Sequence, residues 1–91
     1  MQIRYTRLAV FDLIQAYDYI EADSLQNARV VIGRVEKSVE TLASYPFLGK
    51  QGRVADTREF FVTGTPFIII YRVKENVLQI LSILHTSRKY P

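Results

Sequence analysis

The hydrophobic and polar positions change their period along the chain, and these changes mark the predicted elements. Ile3 and Tyr5 alternate with polar neighbours, which is the two-residue period of a short, half-buried strand. From Leu8 to about Ala22, and again up to about Ser44, apolar residues recur at intervals of three and four, the spacing of amphipathic helices. The first half of the chain is therefore predicted to form a strand followed by an antiparallel helical hairpin.

The second predicted helix has two notable positions. Asp23 or Ser24 suits its N-cap, because a short polar side chain can accept a hydrogen bond from a free backbone N–H. Gly33 lies inside the helix, where glycine costs about 1 kcal/mol relative to alanine. We therefore expect the first helix to approach closely at Gly33.

The second half of the chain is predicted to form strands. Pro46, Gly49 and Gly52 punctuate a loop that ends the helical region. Runs rich in β-branched and aromatic residues follow, with TGT and KEN as turns between them: TREFFV, PFIIIYRV and VLQILSILH. We predict a single domain over residues 1–91, of the α+β class, with a helical hairpin on one face of a small curved antiparallel sheet in the order β-α-α-β-β-β.

The PFIIIYRV strand is apolar on both faces. Ile68 and Ile70 lie on one face, and Phe67, Ile69 and Tyr71 lie on the other. One face can pack on the helices. The second face either awaits a partner or belongs to a central strand that the chain's own loops or tail cover, and the pattern leaves both alternatives open.

Composition narrows the class of protein. The chain has no cysteine, which excludes a disulfide framework, a thiolate zinc site and a cysteine nucleophile, and is typical of a reducing cytoplasm. The N-terminal residues lack the apolar run of a signal peptide. The longest apolar run, 66–71, is far shorter than the roughly 20 residues of a spanning helix. A cytoplasmic protein with no membrane partner is expected.

The charge of the chain is unevenly distributed. The net charge is +3, but residues 1–49 carry five Lys or Arg against six acids, whereas residues 50–91 carry seven against three. A basic C-terminal half favours an anionic partner, either nucleic acid or an acidic protein segment. An ordinary solvated basic surface explains the same distribution equally well.

His85 is the only histidine of the chain and ends the last predicted strand. It suits proton transfer, although a hydrogen-bonded structural role is the commoner one. No carboxylate or second histidine stands near it at ligand spacing, so neither a metal nor another cofactor is expected. If Arg58 and Arg88 converge with His85 and Tyr90, they form a phosphate-binding site; alternatively, Arg58 pairs with Asp56.

The chain resembles the RelE/ParE superfamily of toxins from bacterial type II toxin-antitoxin pairs, over almost its full length. The resemblance rests on FDLIQAYDYI, a second helix ending in LASYP, the glycine-containing loop before TRE, the P-F-x-I-x-Y-R-V strand and the terminal L-H-x-x-R-x-x-P. It implies a cognate antitoxin that is acidic and partly disordered when free, and a toxin-antitoxin hetero-oligomer.

The resemblance implies two alternative targets. RelE-like members cut messenger RNA on the ribosome without a metal, and in that mode Arg58 and Arg88 would stabilise the phosphorane while His85 or Tyr90 moved protons. ParE-like members poison DNA gyrase and are not nucleases. A loop with only Lys50 and Arg53, in place of the lysine-rich loop of RelE-like enzymes, favours the ParE-like branch.

The candidate target-binding residues are basic and all come from the second half of the chain: Lys50, Arg53, Arg58, Arg88 and Lys89. A basic interaction module with neither target is a third alternative.

Overall fold

The computed structural model describes residues 1–87 and shows two helices packed against one five-stranded sheet. The elements in chain order are β1 Gln2–Tyr5, α1 Arg7–Glu21, α2 Leu25–Ser44, β2 Lys50–Gln51, β3 Arg58–Phe61, β4 Phe67–Lys74 and β5 Val77–His85. The strands lie in the order β1-β5-β4-β3-β2. This arrangement confirms the predicted α+β class and the helical hairpin on one face of the sheet.

The sheet differs from the prediction at its two edges. β1 pairs parallel with β5, while the other neighbouring strands are antiparallel, so the sheet is mixed. The helical hairpin carries the chain across the sheet between β1 and the later strands, which permits parallel pairing. At the opposite edge β2 has only two residues, too few to show a period in the sequence.

Hydroxyl side chains begin both helices. Thr6 Oγ1 accepts a hydrogen bond from Ala9 N at 3.1 Å and donates to Leu81 O at 2.8 Å, so one residue caps α1 and ties it to β5. Ser24 Oγ accepts from Asn27 N at 3.1 Å. Ser24, and not Asp23, is therefore the N-cap of α2.

β4 is a central strand, between β5 and β3. Phe67, Ile69 and Tyr71 enter the core that the helices cover, as predicted from their alternation. On the other face Ile70 is only 1% exposed and Ile68 is half-buried. At Ile70 the structure therefore favours the alternative in which the chain covers its own second face.

Gly33 does not mark a close approach of the helices, so that prediction was wrong. A Cβ added at Gly33 would meet nothing within 4 Å, and the residue is exposed on α2. The tight glycine is Gly49 in the loop after α2, where a Cβ would collide with the ring of Tyr71. Across residues 1–87, no helix is both long and apolar enough to cross a membrane.

Candidate functional site

The loop that follows α2 is held by a tyrosine from the central strand. Tyr71 donates its hydroxyl hydrogen to Pro46 O at 2.7 Å and accepts from Gly49 N at 2.9 Å. Burial raises the pKa of Tyr71, so the hydroxyl keeps the proton that it donates. The missing side chain of Gly49 gives the phenol room, which explains why glycine stands there.

Arg58 holds the same loop from β3. Its Nη1 donates to Gly49 O at 2.7 Å, and its guanidinium carbon lies 4.9 Å from the centroid of the Phe47 ring. Within the described part of the chain Arg58 forms no ion pair with Asp56, so that alternative was wrong. The guanidinium instead turns to the Gly49 carbonyl and the Phe47 ring, which offer a hydrogen bond and a cation–π contact together.

The loop presents apolar side chains to solvent. Tyr45 is 65% exposed and Phe47 is 71% exposed, with exposed Leu48 and Lys50 beside them in the chain. We call Tyr45, Phe47, Leu48 and Lys50 the loop patch. Tyr45 does not follow the buried stripe of α2, because the helix ends at Ser44.

Sequence reasoning did not single out Phe47 and Leu48 as functional. The available signal was two large apolar residues between Pro46 and Gly49, in a loop where burial is not expected.

Arg53 is bound to a buried carboxylate. Its Nε and Nη2 donate to the two carboxylate oxygens of Glu59 at 3.2 and 3.1 Å, and its backbone N donates at 3.0 Å. Glu59 is 4% exposed, and its hydrogen bonds to Arg53 hold the pKa of this carboxyl below its usual range. The charge of Arg53 is thus largely balanced within the chain, whereas Lys50 lies exposed on β2.

His85 lies at the end of β5, far from the loop patch. Its ring meets the ring of Phe67 edge-on, with centroids 5.4 Å apart, and its Nδ1 accepts from Ser87 N at 3.1 Å. His85 lines a depression of about 460 Å³ that also contains Asp12, Asp18 and Tyr19. Among the described residues, the lining of this depression thus includes two carboxylates and no lysine or arginine.

Asp12 joins α1 to β5 in this depression. Its Oδ2 accepts from Ser82 Oγ at 2.8 Å and from Ile83 N at 2.9 Å, beside an irregularity in the β4–β5 pairing. Sequence reasoning did not single out Asp12 as a functional or structural residue. Its place between Ala9 and Ala16 on the buried stripe of α1 was a signal for a buried, hydrogen-bonded acid.

Arg58 and His85 do not converge. Arg58 is opposite Tyr71, and His85 is opposite Phe67, on the two neighbours of β4. Four residues along the strand and two strand spacings place their Cα atoms about 16 Å apart. Arg88, Lys89 and Tyr90 lie outside the described residues. Over residues 1–87, no group of three or more His, Cys, Asp or Glu side chains could hold a metal ion.

The family of the chain follows from comparison with known proteins. The family model described as the ParE toxin of the type II toxin-antitoxin system parDE matches residues 3–90. The chain belongs to the ParE toxin family. This ParE-family protein is therefore a toxin of a type II toxin-antitoxin system, within the superfamily that the sequence resembled.

Two curated relatives match nearly the whole ParE-family chain. The putative toxin Y4kP of Sinorhizobium fredii is 37% identical over 99% of this chain and 93% of its own length. The toxin RelE2 of Caulobacter vibrioides is 32% identical over 96% of this chain and 97% of its own length. Both relatives are toxins by name.

Solved structures share the fold. A chain of the chromosomal ParDE toxin-antitoxin system from P. aeruginosa superposes with a TM-score of 0.83 and 27% identity, covering 93% of this chain and 95% of that one. A chain of the intact E. coli RelBE complex superposes with a TM-score of 0.71 and 13% identity, covering 96% and 98%. At that identity the second likeness shows the fold alone.

Proposed function

We propose that this ParE-family toxin arrests growth by poisoning DNA gyrase, and that a cognate antitoxin keeps it inactive in a hetero-oligomer. The family match over residues 3–90 and the shared fold with a ParDE system support the proposal. We choose gyrase over RNA cleavage because Arg58 and His85 lie far apart.

Cleavage of RNA needs its groups at one phosphodiester. A proton-transferring side chain must reach its proton within hydrogen-bond distance, and cations must contact the same phosphate. The Cα atoms of Arg58 and His85 lie about 16 Å apart by strand register, and the guanidinium is already bound to Gly49 O. Asp12 and Asp18 also line the depression of His85, and their charge repels a phosphate.

The loop patch is the surface that we propose for the target. Aromatic residues and arginine dominate the binding energy of protein interfaces, and here Tyr45 and Phe47 are exposed, with the guanidinium of Arg58 against the Phe47 ring. Lys50 adds an exposed cation. Of the candidate target-binding residues in the described range, Lys50 and Arg58 fit this surface, whereas Arg53 is engaged with Glu59.

The antitoxin is proposed to be acidic and partly disordered when free. The basic C-terminal half attracts such a segment, and the apolar residues exposed in the loop patch offer it surface to bury. Expression of the toxin alone should stop growth, and co-expression of the protein encoded beside it should restore growth. Unimpaired growth at verified expression of folded toxin would remove this part of the proposal.

A ribosome-dependent endoribonuclease is the second candidate function. One observation favours it: the relative that is 32% identical is named toxin RelE2. In that mode Arg58, His85, Arg88 and Tyr90 remain the catalytic candidates, and the toxin would be an enzyme.

A paired assay tests the two functions with one preparation of toxin. DNA supercoiling by purified gyrase and cleavage of messenger RNA on translating ribosomes are measured across the same toxin concentrations. Inhibited supercoiling with intact message is the expected result. Cleaved message with unaffected gyrase would overturn the choice of target.

A matched pair of variants tests the loop patch in the same assay. Tyr45→Ala removes an exposed ring from the loop patch, and Tyr19→Ala removes an even more exposed ring from α1. We expect Tyr45→Ala to weaken inhibition of gyrase at least tenfold and Tyr19→Ala to leave it unchanged, since one interface anchor is worth about 1.4 kcal/mol or more. Equal inhibition by both variants would exclude the loop patch.

A further inference from the structure

The outward face of α1 carries an apolar stripe with a charge at each end. Phe11 is 54% exposed and Ile14 is 55% exposed, although both are large apolar residues in the middle of a helix. Arg7 and Asp18 extend the same stripe by one turn at either end, at spacings of four, three and four residues. This is the spacing of a coiled-coil seam.

The stripe points away from the rest of the chain. Ala9, Asp12 and Ala16 form the buried face of α1, and Arg7, Phe11 and Ile14 lie on the opposite side of the helix. Exposed Asp18 ends the stripe, where it also borders the depression beside His85. Within residues 1–87 neither Arg7 nor Asp18 pairs with an opposite charge. The seam from Arg7 to Asp18 is therefore open to another helix along about 17 Å.

The charges of α1 oppose its own macrodipole. A helix favours acids in its first turn and bases in its last turn, but α1 has no acid in the first turn and no base in the last. Arg7 is its first residue, and Asp18 and Glu21 lie in its last turn. This placement costs stability in the isolated helix. It makes each end of α1 opposite in charge to the end that an antiparallel copy of the same helix would place beside it.

We propose that α1 packs antiparallel against α1 of a second copy of this chain. In the two-fold register Arg7 faces Asp18 of the other copy at both ends, and Phe11 faces Ile14 of the other copy twice in the middle. The same patch is thus complementary to itself in both charge and apolar contact, as a two-fold interface requires. Exposed Leu8 and Val10 flank the seam and add apolar contact.

The dimer is weak. One pair of 15-residue helices is a small interface, below the roughly 1,200–2,000 Å² of stable complexes. Self-association is therefore a concentration-dependent equilibrium of the toxin without its partner.

Charge reversal in single and mixed variants tests the register. Full-length toxin is purified alone, and its molar mass is followed by sedimentation velocity from about 1 to 300 μM, a range that brackets a weak dimer. The unsubstituted toxin, called the parent below, is expected to shift from monomer to dimer as its concentration rises. R7E and D18R are each expected to remain monomeric, because like charges then meet at both ends.

An equimolar mixture of R7E and D18R is expected to dimerise again, since opposite charges meet at both ends when one chain of each kind pairs. K37E and D23R make the same charge changes at exposed positions off the stripe and should dimerise like the parent. R7E should also melt no lower than the parent, because it places an acid at the start of α1; this separates lost pairing from lost folding.

A parent that stays monomeric throughout the range overturns the proposal and leaves the stripe to a different helix, such as one from the antitoxin. Dimerisation of R7E alone, or failure of the mixture to dimerise, equally overturns the antiparallel register. Growth arrest and gyrase inhibition are measured in separate assays, so failure of the dimer proposal does not affect the proposed target.

Discussion

Replacement of Arg58 by alanine should loosen the loop after α2 and destabilise the fold by about 2 kcal/mol. A hydrogen bond from a charged donor is worth about 1.5–3 kcal/mol, and the bond from Arg58 Nη1 to Gly49 O is only partly buried, which places it at the low end. The cation–π contact with Phe47 adds about 0.5–1 kcal/mol at an exposed site.

The assay is thermal and urea unfolding of purified protein. For a domain of this size a loss of about 2 kcal/mol lowers Tm by roughly 8–16 °C. Arg58→Lys keeps the charge but not the planar fork, so it should recover only part of the loss. An unchanged Tm in Arg58→Ala would refute the assignment of Arg58 as the anchor of this loop.

Tyr71→Phe provides the matched comparison. It removes the hydroxyl that bonds Pro46 O and Gly49 N and so loosens the same loop by a similar amount, about 2 kcal/mol, with no change of charge. If Arg58 also contacts the cellular target, Arg58→Ala should lose toxicity at a temperature where both variants are folded while Tyr71→Phe keeps it. Equal loss in both variants would mean that Arg58 acts only through the loop.

Three further changes test other parts of the structure. Asp12→Ala should cost about 3 kcal/mol in urea unfolding, because Ile83 N–H loses its acceptor, and Asp12→Asn should cost less; equal costs would contradict the assignment. Arg53 lowers the pKa of Glu59, so this ion pair stabilises the folded state above the unfolded pKa of about 4.3, and the stabilisation is lost as pH falls through the folded pKa. Glu59→Gln should therefore show a smaller fall in Tm below about pH 5 than the unsubstituted protein. An equal fall in both proteins would exclude the Arg53–Glu59 pair as its cause. Gly33→Ala should raise stability by about 1 kcal/mol, and a lower Tm would show a close approach that the structure lacks.

The helices and strands of this fold could be predicted because the apolar positions in each recur with a clear period along the sequence. α1 and α2 begin and end within a residue or two of the predicted bounds, and β5 spans the predicted run Val77–His85. Hydroxyl caps and turn residues act within four positions of the chain, so a sequence shows them directly. The parallel pairing of β1 depends on contacts across some 75 positions and was not readable in this way.

The candidate site was less readable for the same reason. The role of Arg58 depends on Gly49 and on Tyr71, which is 22 positions from that glycine, and the role of Asp12 depends on residues 70 and 71 positions away. Residue types alone suggested that Arg58 and His85 could share a site. Only the strand register shows that they lie on different neighbours of the central strand, four residues apart along it.

The most direct test of the proposed function is the effect of purified toxin on gyrase. Gyrase, relaxed plasmid and ATP are incubated with increasing toxin, the proteins are digested, and supercoiled and linear DNA are separated. We expect loss of supercoiling together with linear DNA from trapped cleavage complexes, both abolished by the cognate antitoxin. Undisturbed supercoiling at a toxin excess, from a preparation that still stops growth when expressed, would contradict it.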